Sequence, residues 1–321
     1  MIPAVRIQGL AKRYGTVLAV AGVDLEIGAG EIFGLVGPNG AGKTTIIRML
    51  ATLLEPSDGE AQICGFDVRR QPNSVRRVIG YMPDTFGVYD DMRVWEYLDF
   101  FAQFYVIPTS QRRQIVTDLL ELVELSSRRD DYVHTLSRGM QQRLCLAHAL
   151  VHDPRVLLLD EPASGLDPRA RAELRELLRE LSSLGKTIVI SSHILPELEE
   201  VCTAVAIIDR GRVLASGSVD QIQARFRRGS VVRARILGDP DAVRSAQEFL
   251  SAQPDVASVE IMSDGRLELA LTGDDDASAA LLYRAMTAGH RVVSFGPVAS
   301  DLEELFLQVT SPNEPDEQSA A

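Results

Sequence analysis

The residues with the clearest potential for chemistry lie in one glycine-rich stretch near the start of the chain: Gly37, Pro38, Asn39, Gly40, Ala41, Gly42, Lys43, Thr44 and Thr45. Their spacing matches the phosphate-loop pattern G-x-x-x-x-G-K-[ST]. Because glycine lacks a Cβ atom, successive backbone N–H groups can turn toward the oxygens of a triphosphate. The Lys43 ammonium suits the β- and γ-phosphates, and the Thr44 hydroxyl suits Mg²⁺. A glycine-rich turn with a chance lysine is the alternative, but the apolar residues on either side predict strand, loop and helix, which favours a phosphate site.

Two carboxylates, Asp160 and Glu161, follow a short apolar run that is typical of a strand buried in a parallel sheet. Ligands of open α/β sheets bind at the carboxyl ends of the strands, so we expect both side chains at the phosphate site. Asp160 suits Mg²⁺, and Glu161 suits polarising an attacking water. His193 follows a second apolar run and is predicted at the same edge, where it could contact the γ-phosphate. A lone histidine is usually only a satisfied polar residue, but this position favours a function.

Four further residues are candidates from their local context. Ser137 is predicted to cap a helix, and Gly139 leaves the first turn of that helix accessible to an anion. Asp84 follows a predicted strand over residues 77–83. Tyr14 lies between two predicted antiparallel strands and could stack on a purine, although spacing alone favours a packing or surface tyrosine.

The composition is that of an ordinary globular protein of about two domains, with 321 residues, 45% of them hydrophobic and 24% charged. A formal net charge of -12 argues against non-specific nucleic-acid binding. No apolar run approaches the ~20 residues of a membrane span, and the N-terminus has no secretory pattern. We therefore expect a cytoplasmic protein. Three dispersed cysteines indicate neither a disulfide framework nor a zinc site: Cys64, Cys145 and Cys202.

The hydrophobic pattern divides the chain into two predicted domains. Residues 1–225 are predicted to form an α/β nucleotide-binding domain, in which helical periodicity over about 93–150 indicates an inserted helical subdomain. The elements predicted over residues 231–310 follow the order βαββαβ, which suggests a ferredoxin-like α+β domain. A capping box at Ser300–Glu303 predicts one more helix, and residues 311–321 are expected to be disordered.

These motifs, in this order, resemble the nucleotide-binding subunits of ABC transporters over roughly residues 3–220. The resemblance implies a P-loop NTPase fold with a mixed sheet, and ATP and Mg²⁺ as ligands. It implies that Tyr14 stacks on adenine and that Asp167 belongs to the D-loop. It further implies that two copies sandwich two ATP molecules head to tail, with Ser137 and Gly139 of one copy facing the γ-phosphate on the other.

The chain departs from the family pattern at two positions. Its signature reads LSRGM where LSGGQ is usual, and Asp84 stands where a glutamine is usual. Asp84 is an additional Mg²⁺ candidate, but it also adds negative charge beside a triphosphate. The signature variant and the appended C-terminal domain resemble the ATPases of ABC-2 type exporters of drugs, polysaccharides and lipids.

The resemblance implies an ATPase at the inner face of the cell membrane. There it would drive a separate integral membrane permease, whose coupling helix would enter the groove between the helical subdomain and the Asp84 loop. A soluble ABC ATPase acting on ribosomes or DNA is the alternative, and it is disfavoured by one P-loop and an acidic charge. A binding module without hydrolysis is a third possibility, against which Glu161 and His193 argue.

Overall fold

The computed structural model describes residues 3–85, 87, 89, 91–194, 198–226, 230–273 and 275–297. The chain divides into two compact units, Met1–Val219 and Asp220–Ala321. The domain bounds given above, 1–225 and 231–310, stay a prediction. The predicted capping box at Ser300–Glu303 and the predicted tail 311–321 lie outside the described residues.

The described residues of the first unit form two sheets from ten strands: β1 (Val5–Tyr14), β2 (Val17–Ile27), β3 (Ile32–Val36), β4 (Asp58–Ile63), β5 (Phe66–Asp67), β6 (Ile79–Met82), β7 (Val156–Asp160), β8 (Thr187–Ser192), β9 (Ala204–Asp209) and β10 (Arg212–Ser218). The smaller sheet has the order β2-β1-β4-β5, and its paired strands are antiparallel. The larger has the order β10-β9-β3-β8-β7-β6 and is parallel except for β10. The predicted mixed sheet is confirmed.

The α-helices described between residues 43 and 226 are α1 (Lys43–Leu50), α2 (Pro72–Val78), α3 (Val94–Phe104), α4 (Thr109–Leu122), α5 (Arg138–Leu150), α6 (Pro168–Ser183) and α7 (Val219–Phe226), of which α7 begins at the last residue of the first unit. The predicted helical insertion is present as α3, α4 and α5. The strand predicted over 77–83 was wrong at its start, because α2 continues to Val78 and β6 begins only at Ile79. Among the described residues, no helix is both long and apolar enough to cross a membrane.

The strand order places the chemical residues at one edge of the larger sheet. β8 lies between β3 and β7, and all three run in the same direction. In this register Val36 pairs with Ser192, and Asp160 pairs with Ser191. The loop after β3 and the carboxylates after β7 therefore meet at the carboxyl edge, with the end of β8 between them.

A continuous core fixes α1, the helix that begins the phosphate site. Ile46, Ile47, Met49 and Leu50 are fully buried among residues of both sheets. Fully burying such a side chain stabilises the fold by about 1.5–3 kcal/mol. Lys43 and Thr44, at the start of α1, are therefore held in place by a rigidly packed helix.

The second unit has the predicted order βαββαβ: β11 (Ser230–Ile236), α8 (Pro240–Ser251), β12 (Val256–Ile261), β13 (Leu267–Leu271), α9 (Asp275–Thr287) and β14 (Val292–Pro297). Its strands lie in the order β12-β13-β11-β14, and every pair is antiparallel. This is the split βαβ arrangement expected of a ferredoxin-like domain. Alternate residues of β13, Leu267, Leu269 and Leu271, are buried in its core.

Candidate active site

The loop between β3 and α1 is crowded by backbone from two other strands. A Cβ atom at Gly37 would lie 2.2 Å from the carbonyl oxygen of Ile208, and one at Gly42 would lie 2.6 Å from that of Ala19. Gly42 also has φ of 108°, a conformation that favours glycine. Glycine is therefore required at both positions for the loop to close against β2 and β9.

Lys43 is held inside this loop by its own backbone. Its Nζ donates to the carbonyl oxygens of Gly37 at 2.7 Å and Pro38 at 3.2 Å, and it lies 3.5 Å from Oε1 of Glu161. The side chain is only 5% exposed. Burial lowers the pKa of Lys43, while the Glu161 carboxylate opposes that shift. The ammonium is thus fixed at the phosphate loop with a carboxylate beside it.

Asp160 is completely buried at the end of β7. Its Oδ1 accepts hydrogen bonds from the hydroxyls of Thr44 at 3.0 Å and Ser191 at 2.7 Å. Burial raises the pKa of this carboxyl group, and the two hydrogen bonds counteract the rise. Its Oδ2 has no hydrogen-bond partner among the described residues. One carboxylate oxygen is therefore fixed by the protein, and the other is free to bind a ligand.

Glu161 connects the two residues predicted to act with it. Its Oε2 lies 2.9 Å from Nδ1 of His193, and its Oε1 faces Lys43. Because an ionised carboxylate only accepts, the imidazole donates through Nδ1–H, which leaves Nε2 available to a ligand. Glu161 has φ of 49°, an uncommon value for a residue with a side chain. Such strain is found where the surrounding structure holds a functional group in place.

Ser191 is a site residue that the sequence analysis missed. Its hydroxyl donates to Oδ1 of Asp160 and accepts from the backbone N–H of Glu161 at 2.9 Å. It therefore fixes both carboxylate residues from the neighbouring strand. The available signal was the pair of serines, Ser191 and Ser192, that ends an apolar run just before His193.

Among the residues that the structure describes, no hydrogen bond or ion pair joins the predicted signature residues to the phosphate loop. Ser137 caps α5 by accepting from the N–H of Met140 at 3.4 Å, and Asp167 caps α6 by accepting from that of Ala170 at 2.9 Å. Together with Gly139 these caps line a separate concavity of about 480 Å³, termed here the signature concavity. One copy of the chain thus presents the predicted site residues in two separate groups.

Comparison with known proteins agrees with this arrangement. The ABC transporter family profile matches residues 20–164, which contain the phosphate loop and both carboxylates. The profile of the C-terminal domain of DrrA1-3-like ATP-binding proteins matches residues 217–310. The daunorubicin/doxorubicin resistance ATP-binding protein DrrA of Streptomyces peucetius is 34% identical over 307 residues, which cover 96% of this chain and 92% of that protein. This chain belongs to the ATP-binding subunits of ABC transporters.

Other relatives and solved structures support the same family. The Nod factor export ATP-binding protein I of Rhizobium sp. (strain N33) is 35% identical over 308 residues, 96% of this chain and 97% of that one. The structure of cbiO1 from Clostridium perfringens, part of an ABC transporter complex, has a TM-score of 0.63 and 28% identity, covering 70% of this chain and 93% of its own. A dimeric ATP-binding cassette in a post-hydrolysis state with ADP and Pi has a TM-score of 0.61 and 25% identity, covering 67% and 98%. This ABC subunit is accordingly an ATPase, and none of these relatives supports the ribosome or DNA alternative.

Two further candidate residues of the ABC subunit are exposed. Tyr14, at the end of β1, is 49% exposed and lies 5.4 Å from Nζ of Lys12, measured to the ring centroid. Its contact with adenine stays a prediction. Asp84 is exposed and accepts from the Thr85 hydroxyl at 2.5 Å. Its charge contributes to raising the pKa of Asp160, and its part in metal binding also stays a prediction.

The oxygen atoms present fit a magnesium ion held together with a nucleotide. The described part of the chain contains no group of three or more His, Cys, Asp or Glu side chains that could hold a metal. Mg²⁺ in phosphate-transfer sites needs only one or two protein oxygens, because phosphates and waters supply the others. The unpartnered Oδ2 of Asp160 and the nearby Thr44 hydroxyl are such oxygens.

Proposed function

We propose that this chain is the ATPase of an exporter, in which two copies close head to tail over two ATP molecules and thereby drive a separate membrane permease. The observation that carries the proposal is the Glu161 carboxylate, held between Lys43 and His193 at the carboxyl edge of the sheet. A base, a cation and an imidazole nitrogen that is available to a ligand, all at one edge of the sheet, are the groups that γ-phosphate hydrolysis requires.

In the proposed mechanism the chain contributes position and charge. Glu161 orients and polarises the attacking water, and the hydrogen bond from His193 keeps the carboxylate in one orientation. Lys43 and His193 stabilise the charge that develops on the γ-phosphate. Thr44 and Asp160 would hold Mg²⁺, with Asp84 as a further oxygen at the margin. When bound, the ion neutralises charge on the phosphate oxygens.

The signature concavity supports the head-to-tail dimer. Its capping residue Ser137, together with Gly139, stands at the N-terminus of α5, where N–H groups and the helix dipole favour an anion. Because these residues do not contact the phosphate loop of their own chain, the nucleotide that they meet belongs to a second copy. Similarity to a dimeric cassette is consistent with this assignment.

An exposed aromatic strip supports docking of a permease at the inner face of the membrane. Tyr89 lies beyond Asp84, and its ring centroid is 5.6 Å from that of Phe100, which is 5.0 Å from that of Phe104. Phe104 is 69% exposed and Val106 is 85% exposed. Clustered exposed apolar groups mark interaction surfaces. The relatives are named for Nod factor export and drug resistance, which supports export, whereas the cargo belongs to the permease.

Substitution of Glu161 tests the proposed ATPase mechanism. Glu161→Gln should retain ATP binding but lower the rate of phosphate release by about 10²–10⁴-fold, because the general base is lost. The ATP-bound dimer should then accumulate, as measured by sedimentation velocity. Glu176→Gln makes the same change on an exposed part of α6 and should leave both measurements unchanged. Wild-type turnover by the Glu161 variant would contradict the assigned role.

Co-purification tests the permease. The full chain, isolated from gently solubilised membranes, should be accompanied by a multi-span membrane protein. Phe104→Ser should weaken this association about tenfold or more, because it removes an exposed aromatic anchor of the kind that dominates interfaces. ATP-driven dimerisation should be unaffected. Association that survives the substitution undiminished would move the docking surface elsewhere.

A further inference from the structure

The signature concavity contains a cation at a position where the family pattern has glycine. Arg138 is exposed and begins α5 between Ser137 and Gly139. Its guanidinium lies against the backbone of Gly165, since a Cβ atom added to Gly165 would lie 2.6 Å from Cζ of Arg138. Gly165 itself has φ of 70°. The Arg138 side chain therefore lies over the turn before α6 and lines the signature concavity.

The other arginines that line the signature concavity are paired with carboxylates. Arg143 pairs with Glu124 at 2.8 Å and also with Glu173, and Arg169 pairs with Glu173 at 2.9 Å. Arg138 has neither a hydrogen bond nor an ion pair to any residue that the structure describes. Of the three guanidinium groups in the concavity, Arg138 is the one whose donors are uncommitted.

The carboxylates around the signature concavity indicate a role for the Arg138 cation. Glu124, Asp167 and Glu173 line it, and three carboxylates repel a triphosphate. The ion pairs of Arg143 and Arg169 offset only two of these carboxylates, Glu124 and Glu173. An uncommitted guanidinium supplies both the missing charge and a planar set of donors suited to phosphate oxygens.

We propose that Arg138 binds the γ-phosphate of the ATP held by the partner copy and so makes closure depend on that phosphate. This role rests on the proposed head-to-tail dimer. Ser137 and the N-terminus of α5 offer neutral donors and a partial dipole charge, whereas Arg138 offers a full charge. ADP lacks the phosphate that Arg138 would contact, so the residue favours closure on ATP over closure on ADP.

Dimerisation of full-length variants in the Glu161→Gln background tests the role of Arg138. Sedimentation velocity with ATP should give a dimer dissociation constant about ten- to a hundredfold higher when Arg138→Met is added, as expected for loss of a charged hydrogen bond. Arg138→Lys should give an intermediate dissociation constant, because it keeps the charge but loses the planar guanidinium that can donate two parallel hydrogen bonds. Raising the salt concentration should reduce the difference between the arginine and methionine proteins. A purely structural role would not produce this salt dependence.

Two controls separate this role from its alternatives. Arg128→Met removes the same charge from an exposed position outside the signature concavity and should leave dimerisation unchanged. Binding of a fluorescent ATP analogue, at protein concentrations far below dimerisation, should be equal with and without the Arg138→Met substitution. Weaker binding by single copies of the methionine variant would place the side chain on its own nucleotide and overturn the proposal.

The outcomes distinguish the two proposals. Equal dimerisation with and without Arg138→Met, both measured in the Glu161→Gln background, would refute the role of Arg138 and leave the exporter ATPase intact. A Glu161→Gln protein that binds ATP but stays monomeric would refute the head-to-tail dimer, and the role of Arg138 with it. Circular dichroism confirms that each variant is folded, and Arg138→Lys provides a second test that preserves the charge.

Discussion

The phosphate-loop half and the signature half of the proposed nucleotide site hold their charges differently. In the phosphate-loop half, Lys43, Asp160 and Glu161 are mostly buried and contact groups of the same chain. In the signature half, Ser137 and Arg138 are exposed, and the guanidinium of Arg138 has no carboxylate partner among the described residues. Preorganised, desolvated charges are what chemistry on a phosphate requires. Exposed donors without partners suit a ligand that is bound to a second molecule. We therefore expect the phosphate-loop half to carry out hydrolysis and the signature half to control closure of the dimer.

The largest effect should come from the buried half. Lys43→Ala removes the ammonium from the phosphate loop and leaves the Glu161 carboxylate without its cation. We expect ATP binding to weaken strongly and phosphate release to fall by at least about 10²–10³-fold, the loss typical of one preorganised charge-stabilising donor. Titration with a fluorescent ATP analogue and a phosphate-release assay measure the two effects.

Lys186→Ala is the matched control, because Lys186 pairs with Asp153 at the opposite end of the sheet. It should change neither quantity. If the Lys43 variant kept wild-type affinity for ATP, the buried half would not be the one that captures the nucleotide, and the contrast between the halves would fail.

A smaller effect is expected for the hydroxyl that joins the carboxylates. Ser191→Ala leaves the N–H of Glu161 without its acceptor and removes one donor from Asp160. Stability should fall by about 1–3 kcal/mol, the cost of an unsatisfied buried group, and the maximal hydrolysis rate should fall about tenfold as Glu161 loses its fixed position. Urea denaturation and steady-state hydrolysis measure these changes.

Thr187→Val provides the comparison on the same strand. The Thr187 hydroxyl accepts from the N–H of Gly30 at 2.9 Å, far from the carboxylates. This variant should lose similar stability but retain its hydrolysis rate. An equal loss of rate in both variants would mean that Ser191 acts only through the stability of β8.

Much of the buried half could be predicted from the sequence, because its signals are local. The glycine spacing around Lys43 and the apolar run before Asp160 each indicate their own backbone conformation. The role of Ser191 depends instead on β8 lying between β3 and β7. Hydrophobic periodicity predicts that a strand exists but not which strands are its neighbours, so this contact could not be derived.

Other features escaped prediction for related reasons. The end of α2 at Val78 was assigned to a strand, because Val78 and Ile79 continue one apolar run across the boundary. The pairing of Arg143 with Glu124 and Glu173 depends on how α5 packs against its neighbours. The ferredoxin-like unit was predicted well because alternating strands and amphipathic helices of ordinary length specify it locally.

The strand order also has a consequence for synthesis on the ribosome. Among the strands that the structure describes, β3 has only β8 and β9 as neighbours in its sheet, and both are made long after the phosphate loop has left the exit tunnel. Until then the apolar strand that ends at the loop has no hydrogen-bonded partner in that sheet. We therefore expect ATP to bind only after β8 and β9 have been made. A chain terminated before Thr187 lacks both neighbours of β3, so we expect it not to bind ATP at its own phosphate loop.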